Sequence, residues 1–410
     1  MKKQIVFFCA TTPYVEIYKI AREFKEMGYE TVLITISQKD KWDEEFYKDA
    51  FNKIICSNFQ VFKLTPNNLL NMAKRLPYLI KSIYEMKKLR PYVIFDIARP
   101  NYIAAIFMKF FKKYPIIYLP ADISSHLHPT TEDAIKAGKK SYEIKAERYC
   151  FENADGILIK ASPNSLDHLT KESMLGPPLK LTKNIICFNP YCSDEFIVPI
   201  NKDKLSKKDG DFHIIYAGSI YGGPEDMKFF INLFEKFISQ KMHLHLYIKT
   251  HHLSKEDDEK IVSPLTSYFN NSPYLHLQYA VPPKELIAEI SSYDFGLWMD
   301  RLRGDKDQEH KFTMGNKFAS YLEAGIPFLY TSSFKFIDSL AKDYGLNFSI
   351  NTENLDSLDG LKKRLKKLNY DKVEKDIIKA RKDFNMKRHM PRLEKFIETV
   401  NKKKYNNTYK

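Results

Sequence analysis

Gly315-Asn316-Lys317-Phe318-Ala319-Ser320-Tyr321-Leu322-Glu323-Ala324-Gly325-Ile326-Pro327-Phe328-Leu329 reads as a short helix, a glycine stop and a buried strand. Phe318, Tyr321 and Leu322 recur at helical spacing, which turns one face inward. Gly325 ends the helix where a positive φ is easiest, and Pro327 blocks its continuation. Phe328 to Tyr330 follow as a strand. The polar residues sit at the helix start, where unsatisfied N–H groups and the positive dipole end favour an anion. Lys317 adds a cation there, and the combination suits a diphosphate. Taken alone, an amphipathic helix with a surface lysine is the more common meaning of such a pattern, so the flanking chain has to decide.

Outward from this stretch, strands alternate with helices. Upstream, His213–Ala217 is a strand, Gly218-Ser219-Ile220-Tyr221-Gly222-Gly223-Pro224 a glycine-rich turn and Asp226–Ser239 a helix. Strands at His243–Lys249, Tyr274–Gln278 and Asp294–Trp298 alternate with helices at Lys255–Phe269 and Pro283–Ser291, and helices close the chain from Asp356. The N-terminal half repeats the scheme. Ile5–Cys9 is a strand, Ala10-Thr11-Thr12-Pro13 a loop, Tyr14–Met27 a helix and Thr31–Ile36 a strand. Weak strand signals follow at Lys53–Cys56 and Gln60–Leu64. A basic amphipathic helix spans Asn67–Leu89, a strand Tyr92–Phe95, a helix Asn101–Lys112 and a strand Pro115–Leu119. Thr131–Asn153 reads as one long helix, Gly156–Ile159 as a strand, Ser162–Thr170 as a short helix and Asn184–Phe188 as a last strand. Continuous apolar strands alternating with helices predict two α/β Rossmann-like domains with mainly parallel sheets. The GxGxxG fingerprint is absent from the first β-loop-α unit, which disfavours bound NAD or FAD there.

Composition narrows the class. At 410 residues, two domains are expected, and 44% hydrophobic content fills two cores. No 18-residue apolar run is present, and the apolar run after Met1-Lys2-Lys3 reads as a first strand rather than a signal peptide, so a cytoplasmic protein is expected. Five cysteines without CxxC or zinc spacing fit free thiols in a reducing compartment. The net charge of +14 is concentrated: residues 361–410 hold 18 Lys/Arg against 6 Asp/Glu. Lys74, Arg75, Lys81, Lys87, Lys88 and Arg90 form a second basic stretch. Such patches fit an anionic membrane surface or a solvated face. No nucleic-acid-binding motif is present, so nucleic acid is not an expected partner.

Ligands of parallel sheets sit beyond the carboxyl ends of the strands. That rule selects Ala10–Pro13, Asp96–Pro100 and Asp122–His128 in the first half, and Gly218–Gly223 and the turn into Asn316 in the second. The loop glycines let backbone N–H groups approach an anion. Asp122 is placed as a general base or a hydrogen-bond partner of an acceptor hydroxyl, a turn aspartate being the equal alternative. His126 and His128, two apart in a loop, do not make a metal site, and His251-His252 and His243/His245 have no carboxylate or cysteine partner at ligand spacing. Asp305-Lys306-Asp307 is a DxD within a charged loop and reads as solvated. No GxSxG, HExxH or Walker A motif is present.

Several segments resemble the GT-B glycosyltransferases, nearest to glycosyltransferase family 4. Ala154-Asp155-Gly156-Ile157-Leu158-Ile159 with Ser162 is similar to the "ADGIIVVS" strand, and Phe188-Asn189-Pro190 to Phe196 to the "IPNGxD…F" entry to the linker. Ile215-Tyr216-Ala217-Gly218-Ser219 resembles the "YxGS" opening of the donor domain, and Gln278-Tyr279-Ala280-Val281 with Glu285-Leu286 the segment that holds the base. Tyr293-Asp294-Phe295-Gly296-Leu297 resembles "ADIGLxP", Asn316–Pro327 resembles "NKxFEYLAAGxP", and Ala380-Arg381 to Phe384 the closing "AR…FSW" helix. The family's ribose-binding glutamate falls on Ser320; Glu323 lies almost a turn further on.

The resemblance implies an acceptor domain at residues 1–190, a linker at 191–209, a nucleotide-sugar domain at 210–379 facing the first across a cleft, and a closing helix and basic tail at 380–410 that cross back to the first domain. It implies a sugar transferase in glycan or glycoconjugate synthesis, using a nucleotide-sugar as substrate and needing no cofactor and no metal. Gly218, Ser219, Asn316 and Lys317 would hold the donor diphosphate, and Tyr279, Ala280, Val281, Ser320 and Glu323 the base and ribose. Asp122 would stand at the reacting centre, with Thr11, Thr12, Arg99 and His126 on the acceptor side. The acceptor would be a glycan or a lipid-linked glycan, the latter reached by peripheral contact with the inner face of the membrane. A same-fold nucleotide-sugar epimerase and a non-catalytic subunit that binds a partner protein or the membrane are the alternatives.

Overall fold

The computed structural model describes residues 2–10, 13–36, 44–56, 68–98, 101–120, 123, 128, 130–136, 138–162, 165, 179–182, 184–218, 220, 224–249, 255–270, 272–279, 281–301 and 308–408. Among them, thirteen strands form two sheets, one in each of two compact units. The first unit is built from Met1–Asn189 and Met386–Lys410, the second from most of Pro190–Asn385.

The first sheet has the order β3-β2-β1-β4-β5-β6-β7. Its strands are β1 (Gln4–Cys9), β2 (Glu30–Thr35), β3 (Lys53–Cys56), β4 (Val93–Ala98), β5 (Ile116–Pro120), β6 (Gly156–Ile159) and β7 (Ile185–Cys187). Every pairing is parallel. Helices cover both faces, so Ile5, Val6, Phe7 and Phe8 are all fully buried and the strand carries no polar alternation. The chain builds outward from β1 to β3, then crosses back to lay β4 on the other side of β1. That reversal is a topological switch point. The helix Met386–Thr408 belongs to this unit. Leu393, Ile397 and Val400 on it are buried, each contributing roughly 1.5–3 kcal/mol. It lies so close to β6 that a Cβ at Gly156 would sit 2.8 Å from Val400 Cγ2. Lys404 closes the contact with an ion pair to Asp155 at 2.9 Å.

The second sheet repeats the plan in the order β10-β9-β8-β11-β12-β13. Here β8 is His213–Ala217, β9 His243–Lys249, β10 Leu275–Tyr279, β11 Phe295–Trp298, β12 Phe328–Thr331 and β13 Ser349–Ile350, all parallel. Its switch point lies between β8 and β11. Both sheets are therefore Rossmann-like, as the alternating pattern predicts.

Four details differ from the sequence reading. Thr131–Asn153 is two helices, Thr131–Lys136 and Ser141–Asn153. Gly138 separates them at φ +87°, its N–H donating to Ile135 O at 2.9 Å, a conformation that ends an α-helix. The short strand β13 carries too few residues to show a period. Residues 191–209 pack as part of the second unit: Val198 N donates to Glu323 O at 3.0 Å and Leu205 N to Ser292 O at 2.9 Å. The closing segment is two helices, Tyr370–Asp383 in the second unit and Met386–Thr408 in the first. The Gln60–Leu64 strand and most of the Ser162–Thr170 helix lie outside the described residues.

Candidate functional site

The second switch point brings together the end of β8, the end of β11 and the start of the helix Asn316–Ala324. Tyr321 sets the helix in place. It is buried, and its hydroxyl donates to Leu297 O at 2.8 Å and lies 3.4 Å from Ile215 O, tying the helix to both central strands. Gly296 makes room for it, since a Cβ there would meet the Tyr321 ring at 2.5 Å. At the far end Gly325 adopts φ +73°. Arg381 supplies a cation to the last carbonyls, donating from Nη2 to Glu323 O at 2.7 Å and from Nε to Leu322 O. A cation at the carboxyl end complements the helix dipole. The opposite, positive end is thereby aimed at the strand ends.

At that end the N-cap is Gly315, which has no side chain to satisfy the first N–H groups. It packs so tightly that a Cβ would lie 2.9 Å from Trp298 Cζ2. Lys317 reaches back to β8. Its ammonium lies 4.8 Å from the centre of the Tyr216 ring, a cation–π arrangement. It also lies against Gly218, where a Cβ would be 2.9 Å from both Nζ and Cε. Gly218 itself has φ +152°, which an L side chain rarely adopts. Burial holds the Lys317 ammonium below the ordinary lysine value, and the Asp300 carboxylate opposes that shift. A bound phosphate would oppose that shift in the same way. Glycine backbone, helix start and lysine thus converge on one point with the chemistry of an anion site.

The remaining expected residues distribute as follows. Asn316 is exposed in the first turn, and Ser320 lies one turn beyond it, partly exposed. Tyr279 is exposed at the end of the edge strand β10, two strand spacings or about 10 Å from β8, and Val281 follows it half-buried. Glu323 is fully buried; its Oε1 accepts from Ser193 N at 2.8 Å, so this carboxylate is committed to the segment that enters the unit. Ser219, Ala280, Thr11, Thr12, Arg99, Asp122 and His126 lie outside the described residues.

Tyr216 and Trp298 were not singled out as site residues by the sequence, although Tyr216 precedes the glycine turn by two. The first unit adds Asp96 near the carboxyl end of β4. It is fully buried, with no hydrogen-bond partner on either oxygen among the described residues, and desolvation raises it well above the ordinary carboxylate range.

Neither a family model nor a curated protein matches the chain. Solved structures do. The sucrose-phosphate synthase of Thermosynechococcus elongatus superposes with a TM-score of 0.72 at 9% identity, over 97% of this chain and 99% of that one. Anabaena HepE, solved in complex with UDP and glucose, gives 0.63 at 12% identity over 99% of each chain. The chain has the GT-B fold. A UDP-N-acetylglucosamine 2-epimerase gives 0.52 at 11% identity, over 92% of this chain and 90% of that one. At these identities the likeness carries the fold, and function has to be argued from the residues.

Proposed function

We propose that this chain is a glycosyltransferase. It takes a sugar from a nucleotide-sugar bound to the second unit and passes it to a glycan or lipid-linked acceptor on the first. The observation that carries the reading is the seat of Lys317, against Gly218 and over Tyr216, at the amino end of Asn316–Ala324. As the sugar–oxygen bond breaks, negative charge grows on the departing diphosphate. A fixed ammonium and free N–H groups stabilise that charge most when it is greatest, which lowers the barrier without calling on a metal ion. Tyr279 offers a ring for the base and Ser320 a hydroxyl for the ribose, in place of the family's carboxylate. Asp122 is proposed on the acceptor side. The complex of HepE with UDP and glucose supports a uridine nucleotide as the first donor to test.

The acceptor is proposed to be lipid-linked, reached from an anionic membrane surface in cell-surface polysaccharide or glycoconjugate synthesis. No helix among the described residues is long and apolar enough to cross a membrane. The helix Asn68–Lys87 nevertheless exposes Leu76, Ile80 and Tyr84 at i, i+4 and i+8, beside exposed Lys81, Lys87 and Lys88. Phe110 is exposed in the same unit between Lys109 and Lys112. Apolar residues ringed by lysines suit an interfacial helix face.

Thermal shift with UDP, GDP, ADP and CMP tests the donor site; stabilisation by a diphosphate is expected, and none by any of the four contradicts the proposal. Turnover of the matching nucleotide-sugar with no acceptor, giving an epimer, would indicate the epimerase instead. Full function in cells with Lys317→Ala would indicate a non-catalytic subunit.

A further inference from the structure

Four histidines line one face of the second sheet. His213 opens β8 and pairs in register with His243, which opens β9. His245 lies two residues on, on the same face, and pairs with His276 of β10. Sequence spacing gives His243 and His245 no acidic partner, but the fold brings one to the group. The short helix Ser206–Asp209 ends on Gly210 at φ +82°, which turns the Asp209 carboxylate back onto the strands. Asp209 Oδ2 lies 2.9 Å from His213 Nε2 and 3.3 Å from His243 Nε2. The three potential ligand atoms all lie within 4.8 Å of one another.

We propose that Asp209, His213 and His243 bind a divalent transition-metal ion, with zinc the best match to two imidazoles and one carboxylate. Ligands about 2.0–2.1 Å from a tetrahedral zinc stand roughly 3.3 Å apart, close to the two separations here. Each ligand also has an orienting partner. Asp209 Oδ1 accepts from Asp211 N at 3.0 Å. His213 Nδ1 lies 2.9 Å from His245 Nε2, and His243 Nδ1 lies 2.9 Å from His276 Nε2. Binding a metal through Nε2 needs the proton on Nδ1, where His245 Nε2 and His276 Nε2 stand within reach to accept it, whereas without an ion the Asp209 carboxylate at His213 Nε2 needs that proton on Nε2. The His213 and His243 rings stack within 9° of parallel, so sharing one ion requires a ring to turn about its Cβ–Cγ bond. The His243 side chain, 15% exposed against 9% for His213, is the one with more room, and Asp209, 39% exposed, opens the path from solvent. A water completes the four ligands. The site is at the amino ends of β8 and β9, whereas Gly218 follows the carboxyl end of β8, so the ion has a structural role. It fastens the segment entering the unit to two strands.

The test uses full-length, tag-free protein stripped with a chelator, then titrated with ZnCl2 by calorimetry and with Co2+ by visible absorption. The expected result is one ion per chain, four-coordinate cobalt bands, and a rise in Tm that EDTA reverses. Asp209→Asn, at an exposed position where folding is readily checked by circular dichroism, should weaken zinc at least tenfold, as should His243→Gln. His245→Gln, which removes only an orienting partner, should weaken it about 10–100-fold. Stabilisation by nucleotide should be unchanged in Asp209→Asn. No stoichiometric zinc binding by the unmodified chain, or binding that survives both Asp209→Asn and His243→Gln, would overturn the proposal and leave a hydrogen-bonded imidazole cluster.

Discussion

Replacing Gly218 by alanine should disable the donor site through Lys317. The new methyl carbon would stand 2.9 Å from both Nζ and Cε of that lysine, at least half an ångström inside an ordinary contact, so the ammonium has to leave its position over Tyr216. The backbone adds strain, since φ is +152° and alanine there costs roughly 1–3 kcal/mol of stability. A charge-assisted hydrogen bond to phosphate is worth about 1.5–3 kcal/mol, and 1.4 kcal/mol is tenfold in affinity. Lys317→Met should therefore weaken a nucleoside diphosphate by about 10–150-fold. Gly218→Ala should lose a large share of the same energy. Because both changes act on one ammonium, the double variant should bind about as well as Lys317→Met alone, a coupling close to the full effect of the glycine change. Calorimetric titration with UDP at fixed ionic strength measures all four corners of the cycle. Full affinity in Gly218→Ala, or losses that simply add, would refute the reasoning.

Other expectations concern packing, ionisation and surface. Gly296→Ala drives a Cβ to 2.5 Å from the buried Tyr321 ring, and overpacking of this kind costs about 1–3 kcal/mol, read as a lower urea midpoint; an unchanged midpoint would show that the helix is not locked there. Asp96→Asn should stabilise the chain increasingly as pH rises. Its folded-state pKa is raised, so wild-type stability is present below the unfolded value near 3.9 and is lost as pH climbs toward the folded value, at up to about 1.4 kcal/mol per unit. The Tm difference between variant and wild type should therefore grow from pH 4.5 to pH 8, and a constant difference would contradict the burial of an acid. Sedimentation with vesicles containing anionic lipid should fall several-fold for Leu76→Ser/Ile80→Ser, and unchanged binding would remove the membrane surface from the proposal.

Much of the fold was legible because both sheets are covered on both faces. Strands such as Ile5-Val6-Phe7-Phe8 then read as unbroken apolar runs, and the glycine after Ala324 marks a helix end. Lys317 was legible for a local reason: its position in the first turn of a helix is a statement about three or four residues. Its partners were not. Tyr216 and Gly218 lie about a hundred residues earlier, and their meeting with Lys317 depends on β8 lying beside β11. Helix geometry explains Glu323. At about 100° per residue it points roughly 120° away from Lys317, toward Ser193 rather than the strand ends. Asp209 stands only four residues before His213, but His243 joins them through strand register, which no spacing along the chain announces. The break at Gly138 was available in the sequence, but the strong helical pattern on both sides outweighed one glycine.

The central claim is that the start of Asn316–Ala324 holds the donor diphosphate. A crystal structure with a nucleoside diphosphate bound tests it most directly. The account predicts phosphate oxygens on the backbone N–H groups at Asn316 and Lys317 and on the Lys317 ammonium, beside Gly218, with the base near Tyr279. A nucleotide bound elsewhere on the chain, with Lys317 still resting over Tyr216 and touching no phosphate, would contradict it.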